Sequence, residues 1–499
     1  MVRLPKLGVG ITFFSGIEPI LEENIDLIDV LEIEPQTIWR QKNIDSNEYL
    51  IDERTLKSIQ KLDVTKTLHS VGLPIGSTHL PDPEQILLLQ QMISEFNTPW
   101  MSEHLSFNHA NNNNKEFFTG FLLPPRQTRD GVESSVKSIN SLKNSIPIPL
   151  AIEVGVNYLK PRKDELSDGQ FISAVSKNAD CGILLDLHNV WTNSLNGRQT
   201  ISEFIDQIPL ERVWEVHVAG GFEDEGYWLD AHSGEIPKPL FNLAKKIIPR
   251  LPNLSAIIFE LFPSYLPQFG SDRIRSQLQH VHELWNLRNQ EQSPIIKTPT
   301  VPKPNNTKTE LSIPNSQEWE NVLGSLVTYQ DVDGLLAKEL SQDQAINLYR
   351  KLIHSFRASM IIRTLKITSR LLKLSLGKKS FNDLLEDYFK KCTPKPFASS
   401  EAKQFAHYIR TKQLDISDLD AIIKFELSVI STLLDHKHRI VNFNHEPIVI
   451  LKAITENRLP NISKKGNFEI EITSETIEEL NEKQKLNEDL SWQSIRWHH

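Results

Sequence analysis

The sequence predicts an α/β protein: a (β/α)8 TIM-type barrel, then a second, mostly helical domain that ends in a small β-containing part. Three observations predict it. Eight short apolar, β-prone runs precede residue 290, helical stretches lie between them, and a compositional break separates both from long amphipathic helices beyond. Buried parallel strands read as continuous apolar runs, and their alternation with helices gives parallel βαβ order. Eight such units suffice to close a barrel. A doubly wound sheet is the main competitor, but it asks for a glycine-rich phosphate turn after its first strand. GVGITFFSG is a poor match to GxGxxG.

The runs are 7–13 (LGVGITF), 28–33 (IDVLEI), 66–70 (KTLHS), 98–105 (TPWMSEHL), 149–154 (PLAIEV), 182–187 (GILLDL), 213–219 (VWEVHVA) and 256–261 (AIIFEL). Candidate helices between them include 83–96, 129–143 and 200–207. Residues 290–316 carry Pro, Thr, Asn and Lys without an apolar period and read as a linker. The expected division is therefore 1–289, 290–316 and 317–499. Beyond the linker, Ser341-x-x-Gln344, Ser380-x-x-Asp383 and Ser417-x-x-Asp420 read as capping boxes that open helices. Leu384, Leu385, Tyr388 and Phe389 recur at helical spacing and are expected in the core. RIVNF, PIVILKAI and NFEIEIT read as strands, followed by a charged helix over 475–487.

Composition narrows the function class. At 499 residues, 39% hydrophobic and 24% charged, the chain reads as a soluble protein of more than one core. No stretch approaches the roughly 18–20 consecutive apolar residues of a membrane helix. MVRLPKLGVGITFF is too short and strand-like for a signal peptide, so a cytoplasmic location is expected. Two cysteines, Cys181 and Cys392, exclude a disulfide framework and thiolate zinc sites. A net charge of −9 argues against a general nucleic-acid binder and suits a protein that gathers cations.

Barrel chemistry sits at the carboxyl ends of the strands. There run three brings His69, run four Glu103-His104, run five Glu153, and run six Asp186, His188 and Asn189. Run seven brings Glu215 and His217, with Asp230 and His232 in the loop after it, and run eight Glu260. A single strand-end His or Asp is commonly a helix cap or loop anchor. Glu215-x-His217 is different, because alternate strand positions share one face and buried charge must be compensated. Salt bridges would need Arg or Lys partners, and these segments hold almost none. The balance asks for cations. Imidazole and carboxylate without thiolate suit Fe, Mn or Zn, and nearly ten candidate ligands suit two or three ions. Oxidation with dioxygen and metal-assisted hydrolysis both remain open on these residues alone.

LHSVGLPIGS, SEHLSF, EVGVNYL, GILLDLHNVWTN, RVWEVHVAGG, DAHSGEIP and FELFPSYLP, in this order over roughly residues 5–285, resemble the multinuclear non-heme iron-dependent oxidative enzymes. These are relatives of the methanobactin biosynthesis oxygenase. The resemblance implies a (β/α)8 barrel with two or three irons in mixed Fe(II)/Fe(III) form. It implies dioxygen as co-substrate, and as target a residue, commonly Cys, of a ribosomally made precursor peptide. By position it implies that His69, His104, Glu153, Asp186, Asn189, Glu215, His217, Asp230, His232 and Glu260 are iron ligands or their neighbours, with Glu153 and Asp186 as bridges. Glu103 and His188 would stand behind them. The family often reads Asp-Val-Asn-Asn where this chain has Asp186-Leu187-His188-Asn189, and Ala-Gly-His where it has Ala219-Gly220-Gly221.

INLYRKLIHSF, FNDLLEDYFKKCTPKPFASSEAKQFAHYI and ISDLDAIIKFEL resemble the partner proteins encoded beside such enzymes, over about residues 320–460. That resemblance implies an enzyme fused to its own leader-recruiting partner, with no separate partner protein required, while charge and hydropathy lead us to expect neither a nucleic-acid nor a membrane partner. A hydrolase or isomerase with two or three divalent ions is the alternative reading. A metal-dependent peptide-binding adaptor is a third.

Overall fold

The structure, a computed structural model, describes residues 4–288, 315–461, 465–475 and 477. Eight parallel strands close into a barrel in sequential order: Gly8–Phe13, Val30–Ile33, Thr65–Ser70, Met101–His104, Leu150–Glu153, Gly182–Asp186, Val213–Ala219 and Ala256–Glu260. The first strand pairs with the second and with the eighth, Gly8 opposite Ala256, which seals the cylinder. The expected barrel is therefore present, each strand lying within its predicted run to within a residue or so. Helices between strands start where local chemistry allows. Pro83–Phe96 has Pro at its first position and Asp82 accepting from the Glu84 amide, and it stops at Asn97 in the left-handed region. Ile201–Gln207 opens on a reciprocal Thr200–Glu203 capping box.

Period-two alternation sorts the strand residues into two sets. Outward residues such as Val9, Ile11, Leu31, Ile152, Val216 and Ile257 join the core beneath the helices. Inward residues change character along the strand. Val30, Trp100, Ala256 and Ile258 form an apolar plug low in the barrel. Glu32, His69, His104, Glu153, Asp186 and Glu260 are the last inward residues of six strands, and His217 is the last but one of a seventh, before Ala219. Their depth follows from register: His104 lies opposite Glu153, and Asp186 opposite His217.

After the fourth strand the chain makes a hairpin, Phe107–Asn112 with Lys115–Leu123. Asn113 and Asn114, both at positive φ, supply its two-residue turn. Helix Ser316–Val327 packs on this hairpin, and Trp319 and Leu323 share a buried cluster with Phe107, Leu123, Tyr158 and Leu229. Glu320, fully buried, accepts from the Thr78 amide (2.7 Å) and hydroxyl (2.6 Å) of a barrel loop. The remaining C-terminal helices form a separate core that includes Leu385, Tyr388 and Phe389, with Leu384 at its margin.

Several C-terminal expectations need correction. PIVILKAI is helix Pro447–Thr455, because Pro447 sits at the first helical position and Ile450, Ala453 and Ile454 bury one face. The two flanking runs do pair as strands, Arg439–His445 with Lys465–Ile472. None of the three capping boxes forms. Ser341 ends a helix, its hydroxyl donating back to Lys338 O, and Asp343 caps the Ala345 amide instead. Ser380 lies inside helix Lys378–Lys391, which starts from Gly377 at φ 82°. The Ser417 hydroxyl donates to neighbouring Asp418. The expected linker, apart from residues 315 and 316, and the expected charged helix, apart from 475 and 477, lie outside the described residues. No described helix is long and apolar enough to cross a membrane.

Candidate metal centre

The ring of inward polar side chains is assembled by strand geometry, and its groups lie within coordination reach of one another. Five overlapping sets each bring three ligand atoms within 4.8 Å: His69, His104 and Glu153; Glu153, Asp186 and His217; Asp186, His232 and Glu260; Glu32, His217 and Glu260; His188, Asp230 and His232. Three carboxylates, Glu153, Asp186 and Glu260, each belong to two sets, as a bridging carboxylate would, so membership does not single out the expected pair Glu153 and Asp186.

Hydrogen bonds orient the imidazoles. His69 Nδ1 lies 2.9 Å from Ser102 Oγ, and a proton donated there leaves Nε2 as a lone pair, 3.1 Å from His104 Nε2 and 3.3 Å from Glu153 Oε2. His217 Nε2 meets Glu32 at 3.1 Å, which turns Nδ1 toward Glu260 at 3.2 Å. Asp186 has two tasks. Its Oδ1 caps helix Leu187–Leu195 by accepting from the His188 and Asn189 amides, at 2.6 and 2.9 Å, while Oδ2 faces the ring.

Electrostatics without a cation are unfavourable. Burial pushes Glu32 up to about 8, Glu34 up to about 7 and Asp186 up to about 6, with Glu260 contributing to each. Burial likewise drives His69 well below its ordinary value and His104 down to about 4. Burial alone would depress His217, but Glu260 and Glu32 hold it well above the usual range. Six buried atoms, Glu153 Oε2, Asp186 Oδ2, Asn189 Oδ1, His217 Nδ1, His232 Nε2 and Glu260 Oε2, make no well-aligned hydrogen bond, although all but those on Asp186 and Asn189 lie within ion-pair distance of a neighbouring imidazole or carboxylate. Native interiors rarely tolerate such a cluster unless something fills it. Bound cations would satisfy all six, so the donor set fits a multinuclear site of nitrogen and oxygen ligands.

The other sequence candidates are placed as follows. Asn189 donates to Glu153 Oε1 at 2.8 Å and keeps its own carbonyl oxygen facing the ring. Glu215 joins none of the five sets. It sits one inward step deeper than His217 and accepts from the Trp100 indole at 2.8 Å. Glu103 points the other way, accepting from the Leu73 amide at 3.0 Å and the His104 amide at 2.8 Å. His188 has both nitrogens engaged: Nδ1 lies 3.0 Å from Asp230, and Nε2 accepts from the Trp228 indole at 3.3 Å. A Cβ on Gly221 would meet His188 Nε2 at 2.7 Å, so this imidazole needs glycine there. Glu32, absent from the sequence candidates, also belongs to the ring, in one set with His217 and Glu260. Its signal was the Val30-x-Glu32-x-Glu34 alternation.

Above the ring lies a cavity of about 900 Å³. Barrel residues and C-terminal residues line it together, with Trp39, Phe118, Phe121, Tyr265, Phe356 and Phe397 among its aromatic walls. Lys351 is the one Lys or Arg among the described lining residues, and Asp224 (2.6 Å) and Glu225 (3.0 Å) already hold it.

A model of the family described as RiPP precursor modification enzyme MbnB/TglH/ChrH matches residues 8–269. A UPF0276 protein of Streptomyces avermitilis is 28% identical over 199 residues, which cover 39% of this chain and 41% of that protein. One from Anaeromyxobacter sp. is 28% identical over 230 residues, covering 46% of this chain and 80% of its own length. The chain thus spans less than half of the first of these relatives. Among solved structures, the IOLI protein with a binding zinc atom aligns at 12% identity and a TM-score of 0.35, covering 56% of this chain and 98% of that one.

Proposed function

This chain belongs to the RiPP precursor modification enzyme family MbnB/TglH/ChrH, and from that premise we propose that it oxidises a residue, commonly Cys, of a ribosomally made precursor peptide, using iron and dioxygen. The observation that carries this reading is the cluster of buried ligand atoms on Glu153, Asp186, Asn189, His217, His232 and Glu260 that crowd together without well-aligned hydrogen bonds and without an Arg or Lys among them. Two or three irons fit it. His69, His104 and Glu153 would hold one, and His232 would hold another with Asp186 and Glu260 and with Asp230 beside it, while Glu153, Asp186 and His217 form a group between them. Iron in this ring supplies one-electron chemistry with dioxygen.

The protein's own residues do the rest. Ser102 beside Nδ1 of His69 and Glu32 beside Nε2 of His217 orient the two rings, so that with a metal bound each would turn its other nitrogen to the ring. The aromatic walls exclude water from a reacting side chain and leave room for several peptide residues. A phosphoester substrate would ask for free basic groups at this mouth, and Lys351 is already bound by two carboxylates. The C-terminal region recruits the leader, and its two-stranded sheet offers an edge for strand addition.

Anaerobically iron-loaded protein, mixed with a Cys-bearing peptide from the neighbouring open reading frame, is expected to change the peptide's mass only once dioxygen is admitted. Stoichiometric zinc alone after anaerobic iron loading, with no dioxygen-dependent mass change, would sink the proposal.

A further inference from the structure

Asp230 and His232 differ from the other candidate ligands in standing on a loop, where no sheet register holds them. His232 adopts φ 40°, a left-handed conformation uncommon for a non-glycine residue though better tolerated by His than by most, and the surroundings brace it. Four hydrogen bonds do so. His232 O accepts from the Phe262 amide (3.0 Å), the Ser233 amide donates to Gly220 O (2.8 Å), His188 Nδ1 meets Asp230 (3.0 Å), and the Asp230 amide donates to the Tyr158 hydroxyl (3.2 Å).

The last of these continues out of the barrel. The Tyr158 amide donates to the hydroxyl of Tyr349 at 3.2 Å, and the two rings pack at 5.6 Å. Tyr349 is fully buried on helix Ala345–Thr364, beyond the linker. Two tyrosines in series thus run from the C-terminal region to the backbone of a candidate ligand. His69, His104 and Glu153 sit on barrel strands, and among the described residues their side chains bond inside the barrel, His104 Nδ1 meeting Glu153 Oε2 at 3.1 Å.

We propose that Tyr349 and Tyr158 are positioning residues through which the C-terminal region holds the Asp230–His232 part of the metal centre, and that part alone. The inference rests on the metal-centre reading and adds that the appended region governs the affinity of one metal subsite. Tyr349→Phe keeps the ring packing and removes only the accepting oxygen. Tyr158→Phe severs the same path at its other end without touching the C-terminal region.

The test titrates metal-free full-length protein with Co(II), following the visible ligand-field absorption and counting bound metal by mass spectrometry. Asp230→Asn and His69→Ala, which weaken different subsites, assign the absorption bands. Each Tyr→Phe variant is expected to weaken the Asp230 class of site by roughly 10- to 100-fold, the cost typical of losing an outer partner. The His69 class should stay at wild-type affinity. Wild-type affinity at every site in both variants would overturn the proposal, and so would a uniform loss across all sites, which marks general destabilisation. A wild-type chain that binds no Co(II) would remove the metal-centre reading itself, a failure distinct from the other two.

Discussion

Glu32 and Glu103 face opposite sides of the barrel wall, and that phase decides what each can do. Glu32 follows Val30 on the inward face and braces His217; Glu103 follows the outward parity and ties down a loop through the Leu73 amide. Glu32→Ala is expected to lower metal affinity about 10- to 100-fold, read by titration with Fe(II), because an unbraced imidazole is a poorer ligand. Glu103→Ala should leave the metal count unchanged and cost about 1–3 kcal/mol in thermal or urea unfolding, since two backbone amides lose their acceptor. The same phase argument explains what the sequence concealed. Glu32 stands second from the end of IDVLEI, as Asp186 does in GILLDL and Glu153 in PLAIEV, so its place among the candidates shows in the parity of the run and not in its last residue. Spacing of two also gives the face but not the depth. Glu215 and His217 share a face, yet roughly 6.6 Å of strand separates them, enough to hand Glu215 to Trp100 instead of the ring.

At the scale of elements, the eight barrel strands were legible because burial on both faces leaves an unbroken apolar run. The C-terminal runs lacked that constraint. PIVILKAI is apolar throughout and too short for its period to separate helix from strand, and only its leading proline pointed to a helix. The hairpin over 107–123 went unread although its Asn-Asn turn is a direct signal for two residues at positive φ. Helix Ala345–Thr364 carries a further consequence. Its His354 lies between the rings of Tyr329 (5.4 Å) and Phe389 (4.7 Å). Burial, and then Arg357, Lys390 and Arg350, depress it to about 4. The folded value lies below the unfolded one of about 6.5, so the unfolded chain takes up the proton first as pH falls. The stability contributed is complete above pH 6.5 and is lost progressively toward pH 4. His354→Phe should therefore flatten the acid limb of C-terminal unfolding, by on the order of 1–2 kcal/mol between pH 7 and 4 after allowing for its partial exposure. Urea melts at three pH values read this directly, and an unchanged acid slope would refute it.

For the whole molecule, the decisive feature is that the C-terminal region roofs the barrel mouth instead of trailing from it. The hairpin side is closed by Trp319, whose indole donates to Pro124 O at 3.0 Å and whose ring lies under Arg126 and Arg162. Across the mouth, Lys351 reaches Asp224 and Asp343 accepts from the Lys160 amide at 3.0 Å. On the far flank, Arg40 donates to Leu434 O at 2.9 Å and Gln41 to Ser400 at 2.8 Å. A flexible linker at the expected position, outside the described residues, would contribute an effective concentration on the order of millimolar, which would matter only if the contacts themselves were weak. They are not of that kind: the buried cluster around Trp319, Leu323 and Tyr349 is continuous with barrel residues, and buried aromatic anchors dominate the energetics of such interfaces. A protease site inserted near residue 300 and then cleaved should therefore give two pieces that still co-elute at micromolar concentration. Trp319→Ala, at about 3–5 kcal/mol for an emptied aromatic site, should let the cleaved pieces part while the uncleaved chain stays together. If the unmutated pieces separate on cleavage, the linker rather than the interface holds the roof over the metal centre. The Tyr349 path to Asp230 would then persist only while the tether is intact.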